Sequence, residues 1–316
     1  MKSQAFREIL SALSELSPKQ RESLKRVLSE QMPPEAEAAD PEVCAHCGSE
    51  EFIGWGRTAG RQRWKCHSCG RTFGRLTNTV AHGLSYEEVW PEFIQALMDG
   101  AVLRQIAERC GIHITTAHRW RTRFLQNLVD EQPKLQGIAE ADETYLRRSA
   151  KGQPKEREKL GRPPRRRGGG GGGGGGRSPD QVPVFLAQDR SGAVVGRVVD
   201  RFDRNVAATL LRQAVASDAI LCTDGHKAYM GAARELGLQH ERLIPKNGGR
   251  VRGPFHVQNV NNLHSRFKDW LRRFRGVSTA RLPLYVAWFN RITQAPPERA
   301  HPNQMLQHIL ATATTS

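Results

Sequence analysis

Two aspartates and two pairs of cysteines are the residues of this chain with the most chemical content. Asp142 stands in "AEADETY" and Asp224 in "LCTDGHKAY", each at the end of a strand-like run. In a mixed sheet those two strands are commonly neighbours, which puts both carboxylates at one edge. Two carboxylates a few ångströms apart repel each other unless a divalent cation bridges them. Paired Mg2+ or Mn2+ ions held this way activate a water or a 3′-hydroxyl and stabilise the leaving oxygen of a phosphoryl transfer. A third ligand must come from a helix, and "HVQNVNNLHSRFKDWLRRF" (256–274) supplies one. Val260, Leu263, Phe267, Trp270 and Phe274 recur at spacings of three and four and mark its buried face. Asn261, Ser265, Lys268 and Arg272 form a second, polar stripe. The amide oxygen of Asn261 can coordinate a cation without adding charge. Lys268 lies two turns further, roughly 10 Å along the helix, placed for a flanking phosphate. A plain helix cap is the competing reading of Asn261. His226 and His264 are read as supporting or core groups, and Glu143 as pointing to the opposite strand face from Asp142.

Cys44-Ala-His-Cys47 and Cys66-His-Ser-Cys69 are separated by 18 residues. Two such knuckles match four thiolates around a tetrahedral Zn2+, a closed and therefore structural site. Gly48 and Gly70 follow the knuckles and permit the tight turns that aim the sulfurs inward. The intervening "EFIGWGRTAGRQRWKC" is expected to be a β-hairpin turning at Thr58-Ala-Gly60, so the module over 39–80 resembles a zinc ribbon. A redox role leaves the paired arrangement unexplained. Arg57, Arg61, Arg63, Lys65 and Arg71 make the ribbon basic, which serves DNA contact or simple solvation equally. Cys110 and Cys222 lie in apolar contexts and are expected to be buried and inert.

"LRQIAERCGIHITTAHRWRTRFLQ" (103–126) reads as a helix-turn-helix, with the first helix ending at Cys110, a turn at Gly111-Ile-His113 and a second helix from Thr115. Ile106, Ala107, Ile112, Ala117, Trp120 and Phe124 supply the crosswise apolar contacts. The second helix is expected to present Thr115, Thr116, His118, Arg119, Arg121 and Arg123 outward to a major groove. A generic helical pair with a solvated basic face is the alternative.

The elements that must position these groups follow from pattern and composition. The chain has 316 residues, 38% hydrophobic, with 48 Lys and Arg against 32 Asp and Glu, a formal charge of +16. That length holds roughly two or three domains. The charge favours a polyanionic partner, nucleic acid before an anionic membrane surface. No long apolar span or signal sequence is found, and reduced C-x-x-C pairs suit a cytosolic, nucleoid-associated protein. Residues 2–31 read as two short helices, with Ser17, Pro18 and Gln20 opening the second, and 32–42 as a linker completing a first region over 1–38. Helical periodicity runs from Tyr86 to about Val129, inside an all-α region over 81–135. A mixed α/β region over 136–316 begins with the strand "QGIAEADETYL". It continues through a hairpin around Asp189-Arg-Ser-Gly192, a helix at 204–216, a strand at 219–225, a helix from His226, a strand at "HERLIP" and the helix at 257–275. Asp189 and Asp203 are read as turn residues. Within it, 147–181 is expected to be a disordered, basic, Gly-rich insertion. Residues 147–177 hold 11 Lys and Arg against 2 Glu, a composition that cannot bury apolar surface and that can add affinity for phosphates.

"ADETYL", "TDGHKAY" and "HVQNVNNLHSRFKDWLRRFRGVSTARLPLYVAWFNR" resemble the DDE-type transposases of bacterial insertion sequences. More narrowly, they are similar to the group with an N-terminal zinc ribbon and a ribonuclease H-like catalytic domain. That group places Asp, Asp, then Glu or Asn, with Lys seven residues later. Onto that pattern map Asp142, Asp224, Asn261 and Lys268, over a similarity covering about 40–316. The resemblance implies a ribonuclease H-like mixed sheet with flanking helices, catalytic Mg2+ or Mn2+ and structural Zn2+. It also implies double-stranded DNA, element ends and target, as partner, and a homo-oligomer, a dimer, on that DNA. The implied activity is cleavage at the element's ends and transfer of the strands. Two alternatives remain: a zinc-ribbon and helix-turn-helix regulator with an inactive third domain, and a ribonuclease H-like nuclease without joining activity. A regulator has no need of Asp142, Asp224 and the Asn261/Lys268 pair, and a plain nuclease has no need of two DNA-reading modules.

Overall fold

The computed structural model describes residues 17, 20, 40–58, 60–128, 133–160, 180–244, 251–294 and 306. The expected helices at 2–31, apart from Ser17 and Gln20, and residues 161–179 with the polyglycine run lie outside the described residues. The rest of the insertion expected to be disordered over 147–181 is ordered, because Arg147 ends a strand, Pro154–Lys159 is a helix and Gln181 opens a strand. Lys151 Nζ also donates to the carbonyls of Phe274, Arg275 and Gly276. Ser17 and Gln20 are described, and they exchange hydrogen bonds reciprocally: the Ser17 N–H donates to Gln20 Oε1 at 2.9 Å and the Gln20 N–H to Ser17 Oγ at 3.3 Å. That exchange is a capping box at a helix start.

The chain divides into two compact units, the ribbon lying in one and residues Gly83–Pro302 in the other. In the ribbon, β1 (Phe52–Thr58) and β2 (Arg61–Cys66) pair antiparallel with Thr58 opposite Arg61, and the short β3 (Thr72–Phe73) joins β2. The hairpin turns where its sequence said it should. Its buried face carries Trp64, Cys66 and Phe73 over Cys44, an apolar cluster too small to hold a domain of this size without a further crosslink.

The second unit opens with three helices, α1 (Trp90–Met98), α2 (Leu103–Cys110) and α3 (Ile114–Gln126). A single periodic run from Tyr86 to Val129 is thus broken twice, at Asp99–Val102 and at Gly111–His113. Gly111 sits at φ +61°, the left-handed conformation that ends α2. His113 caps α3 by accepting the Thr115 N–H through Nδ1 at 3.3 Å. Trp90, Phe93, Trp120 and Phe124 stack edge-on or tilted, with ring centroids 5.3–6.4 Å apart, and hold α1 across α3.

Next come β4 (Ile138–Arg147), α4 (Pro154–Lys159), β5 (Gln181–Asp189), β6 (Val194–Val198), α5 (Arg204–Ala214), β7 (Ile220–Thr223), α6 (Lys227–Leu236) and β8 (Gln239–Arg242). The unit ends with the small hairpin β9 (Val251–Arg252) and β10 (Phe255–His256), then α7 (Gln258–Arg272) and α8 (Leu282–Thr293). The sheet order is β6-β5-β4-β7-β8; the first three strands pair antiparallel and β4, β7 and β8 run parallel. This is a mixed α/β sheet of the ribonuclease H-like kind. Along β4 the faces alternate. Ala139 and Ala141 join the core beneath α5 and α6, together with Phe185, Ala187, Leu211 and Tyr229. Glu140 and Asp142 point to the other face, where α7 lies. Next to α7, α8 packs on β6 at Gly196: a Cβ there would come within 2.7 Å of Asn290 Oδ1, and Asn290 Nδ2 donates to the Gly196 carbonyl at 3.2 Å. Asp189 is the turn residue expected, accepting the Ser191 and Ala193 N–H groups, and Asp203 caps α5 through the Val206 N–H.

Candidate metal and nucleic-acid sites

The four ribbon cysteines bring their sulfurs within 4.8 Å of one another. Cys44 and Cys69 Sγ are 3.8 Å apart, and Cys47 and Cys66 Sγ 3.6 Å. Sulfurs at about 2.3 Å from a tetrahedral Zn2+ lie about 3.8 Å from each other, so the quartet has the size of a zinc cage. The two knuckles are built alike. Gly48 N–H donates to the Cys44 carbonyl at 2.8 Å and Gly70 N–H to the Cys66 carbonyl at 3.1 Å, with φ of +74° and +68° at the two glycines. Cys66 and Cys47 shift in opposite directions. The backbone hydrogen bond at Cys69 pulls Cys66 down to about 6, while Cys47 goes up to about 12 as desolvation and the other sulfurs outweigh the backbone hydrogen bond at Ser49. A thiol already ionised near neutral pH is the form a cation takes. Burial pushes Cys110 and Cys222 up to about 11, which leaves them inert.

The two aspartates meet as their spacing suggested. β4 and β7 are parallel neighbours with Glu140 opposite Cys222; two residues further along each, Asp142 and Asp224 come side by side. Asp142 is pushed up to about 7, first by burial and then by the charges of Asp224 and Glu143. Its Oδ1 accepts the Glu143 N–H at 2.9 Å. Asp224 is exposed and its Oδ1 accepts the His226 N–H at 2.9 Å. His226 itself caps α6 through the Ala228 N–H and faces Phe202 and Tyr229. Glu143 turns the other way, as alternation requires, toward the buried phenol of Tyr229.

Helix α7 crosses above Asp142. Asn261 is not its cap: the helix starts at Gln258 after Val257, and the Asn261 N–H already donates to the Val257 carbonyl at 3.2 Å. That removes the cap reading of Asn261. Its side chain is exposed, one turn before His264, whose Nδ1 lies 3.5 Å from Asp142 Oδ2. Burial, then the Lys268 charge, pushes His264 down to about 4, so its imidazole is neutral at pH 7. Lys268, one turn beyond, is exposed and lowers the pKa of Asp142 by its charge. Asn261, His264 and Lys268 thus share the helix face that turns toward Asp142. A half-buried carboxylate, a second carboxylate beside it and a neutral amide oxygen are the hard donors a divalent cation prefers, and the cation would offset the burial and the repulsion that raise Asp142.

On α3, Thr115 and Arg119 are exposed, and Thr116 and Arg123 are half-buried. Two residues expected outside face inward instead. Arg121 is 6% exposed, donates from Nη2 to the Tyr285 hydroxyl at 2.7 Å, and lies 5.3–5.7 Å from the ring centroids of Phe274, Tyr285 and Trp288. His118 is half-buried against Arg281, and burial followed by the charges of Arg281 and Arg121 lowers its pKa. The physical reason is that α3 packs on two sides. Its Trp120 face meets α1, and its Arg121 face meets α8, whose Trp288 indole also donates to the Leu97 carbonyl at 2.7 Å. A planar guanidinium satisfies aromatic faces as an apolar side chain would, so charge alone misassigned it.

With this geometry in place, known proteins can be compared. Residues 134–290 match the family described as the ISXO2-like transposase domain. This is a DDE-type transposase domain. A protein of the transposable element ISH50 from Halobacterium salinarum is 29% identical over 258 residues, covering 78% of this chain and 83% of the relative. Among solved structures, the pre-cleavage Mos1 transpososome has 10% identity over 74% of this chain and 82% of its own, with a TM-score of 0.23. The simian T-cell lymphotropic virus intasome, in complex with the PP2A regulatory subunit B56 gamma, has 12% identity over 56% of this chain, a TM-score of 0.28, and 57% of its own length spanned. The match to the transposase domain begins just before β4 and ends within α8, so it takes in Asp142, Asp224 and the whole of α7.

Reasoning from the sequence missed Glu140, Arg190 and His256, which sit behind the transposase domain's aspartates. Glu140 had a readable signal, since in "EAD" it shares a strand face with Asp142. Arg190 had none: it lies in a turn and meets Glu140 only through the β4–β5 pairing.

Proposed function

We propose that this protein binds the ends of a mobile DNA element, cleaves the strands there and joins their 3′ ends to target DNA. The observation that carries the reading is the placement of Asp142 on β4 and Asp224 just past the end of its parallel neighbour β7, with Asp142 pushed up to about 7 by burial and then by the Asp224 charge. Bound divalent cations would supply that charge and make an attacking oxygen more nucleophilic. Asp142 and Asp224 would hold the cations from the sheet and Asn261 from α7, while Lys268 would draw a phosphate oxygen toward them. In each step the oxygen of a water or of a 3′-hydroxyl attacks phosphorus and gives up its proton. The opposite P–O3′ bond breaks, and the electron pair leaves on the 3′ oxygen. Thr115 and Arg119 at the exposed start of α3 contact the element's ends, the bound DNA is double-stranded, and the transposase works as a dimer on it. The ribbon is held by Zn2+.

Joining of pre-cut ends with Mg2+ or Mn2+ tests the proposal. The wild type is expected to join strands, and Asp142→Asn, Asp224→Asn and Asn261→Ala to bind the ends yet fail to join. Specific binding by a wild type that neither cuts nor joins would leave a DNA-binding regulator, and cutting without joining a nuclease.

A further inference from the structure

Glu140 is a fully buried carboxylate two residues before Asp142 on the same face of β4, and it faces helix α7. Its Oε2 accepts the Val260 N–H at 3.0 Å. Val260 is the third residue of α7, so its amide is one of those a helix start leaves without an internal partner. The residue in the cap position, Val257, has no side chain able to accept it. A carboxylate 120 positions away in sequence performs the capping. On its other oxygen, Glu140 pairs with Nη1 of Arg190, and His256 Nδ1 lies 3.2 Å from it. Arg190 reaches on from Nη2 to the Pro254 carbonyl at 2.9 Å, in the turn between β9 and β10 that leads into α7. The entry to α7 is therefore tied to the sheet at Pro254 and Val260 through one guanidinium and one carboxylate, while His256 Nδ1 accepts the Gln258 N–H at 3.3 Å.

Val260 immediately precedes Asn261. We infer that Glu140, held by Arg190, is the positioning residue that sets Asn261 against Asp142. Strand β4 then places both halves of the candidate metal site, one by its own side chain at Asp142 and the other by gripping α7 at Val260. Charge is spent for direction here: an apolar residue at 140 packs the same space but leaves the start of α7 free to shift along the sheet. This inference rests on the proposed role of Asn261 as a cation ligand.

A double-mutant cycle on the full-length protein tests it, with Mn2+ affinity read by the electron paramagnetic resonance of free Mn2+ and strand joining read in parallel. Glu140→Gln keeps the shape and an acceptor and loses the charge that holds Arg190. It is expected to weaken Mn2+ binding by about 10- to 100-fold, the usual loss when a partner behind a metal ligand is removed. In the Asn261→Ala background the same change is expected to cost less than about two-fold, because the group it positions is already gone. Arg190→Gln, at a partly exposed turn, is expected to repeat the pattern, with a thermal melt showing that the variant is folded at the assay temperature. A residue that serves only stability lowers the melting temperature and multiplies its effect with Asn261→Ala; such multiplicative losses, or unchanged Mn2+ affinity in both Glu140→Gln and Arg190→Gln, overturn the inference. If Asn261→Ala alone leaves Mn2+ affinity intact, the ligand role of Asn261 fails instead. Wild-type protein with an intact binding cycle and no strand joining rejects the transposition chemistry and leaves the positioning standing.

Discussion

The cysteine quartet and the aspartate pair are both candidate sites for divalent cations, built in opposite ways. The quartet draws four identical donors from 26 consecutive residues, Cys44 to Cys69, on two knuckles of the same design. Its geometry is local, and two glycines with positive φ fix it. The aspartate site draws from β4, the end of β7 and α7, across more than a hundred residues, and it exists only when the sheet is assembled. The quartet holds its own small domain together, whereas the rest of the domain holds the aspartates. One cation is therefore expected to be part of folding and the other part of chemistry.

Removing zinc should break this comparison on the ribbon side with the largest effect. Cys66→Ser, or a strong chelator, is expected to unfold the ribbon, since the free energy of binding a structural zinc is about 10–16 kcal/mol in small zinc peptides. Loss of the ribbon's amide chemical-shift dispersion, with the Gly83–Pro302 unit still folded, is the result to look for. A ribbon that stays folded without zinc would show that its apolar cluster suffices.

On the aspartate side the opposite is expected. Asp142→Asn should leave the fold intact and reduce strand joining by more than about 100-fold, beyond the usual cost of losing an outer partner of a metal ligand. A circular dichroism melt alongside the joining assay separates the two effects; a collapsed fold would mean that the aspartate is structural after all.

Arg119 and Arg121 of α3 sharpen the same distinction between groups that work outward and groups that hold the fold. Arg119→Ala should cost about 1–3 kcal/mol of DNA binding with altered base preference and no change in melting temperature. Arg121→Ala removes a buried guanidinium from three aromatic rings and a hydroxyl, and should cost about 2–3 kcal/mol of stability. Gel-shift titrations set beside thermal melts decide the case, and a swap of the two outcomes would reverse the orientation of α3.

A further expected effect is a pH slope in the metal-free protein. Asp142 is pushed up to about 7 in the folded state from an ordinary value of 3.8, so between those values the folded state binds more protons than the unfolded one. Stability attributable to this group then falls as pH rises from about 4 to 7, the reverse of a paired carboxylate. Urea titrations across that range should show the slope, and Asp142→Asn or saturating Mg2+ should flatten it. A slope unchanged in Asp142→Asn assigns the effect to another group.

The sequence by itself determined what is local. The knuckle spacing gave the ribbon, the apolar period of 256–274 gave α7 and its buried face, and Gly111 gave the turn between α2 and α3. The period of two in "AEADETY" was enough to send Asp142 and Glu143 to opposite faces. What periodicity cannot carry is the identity of the element that covers a face. Arg121 and Arg119 both read as outward charges, and only the packing of α8 against α3 told them apart. Asn261 read as a possible cap, but the helix begins at Gln258, and Glu140, 120 positions before Val260 in the chain, accepts the amide beside Asn261. Those outcomes depend on pairings between distant segments. A side chain's meaning is set by its partner's charge and shape, and the chain order does not contain that partner until the sheet has brought it near.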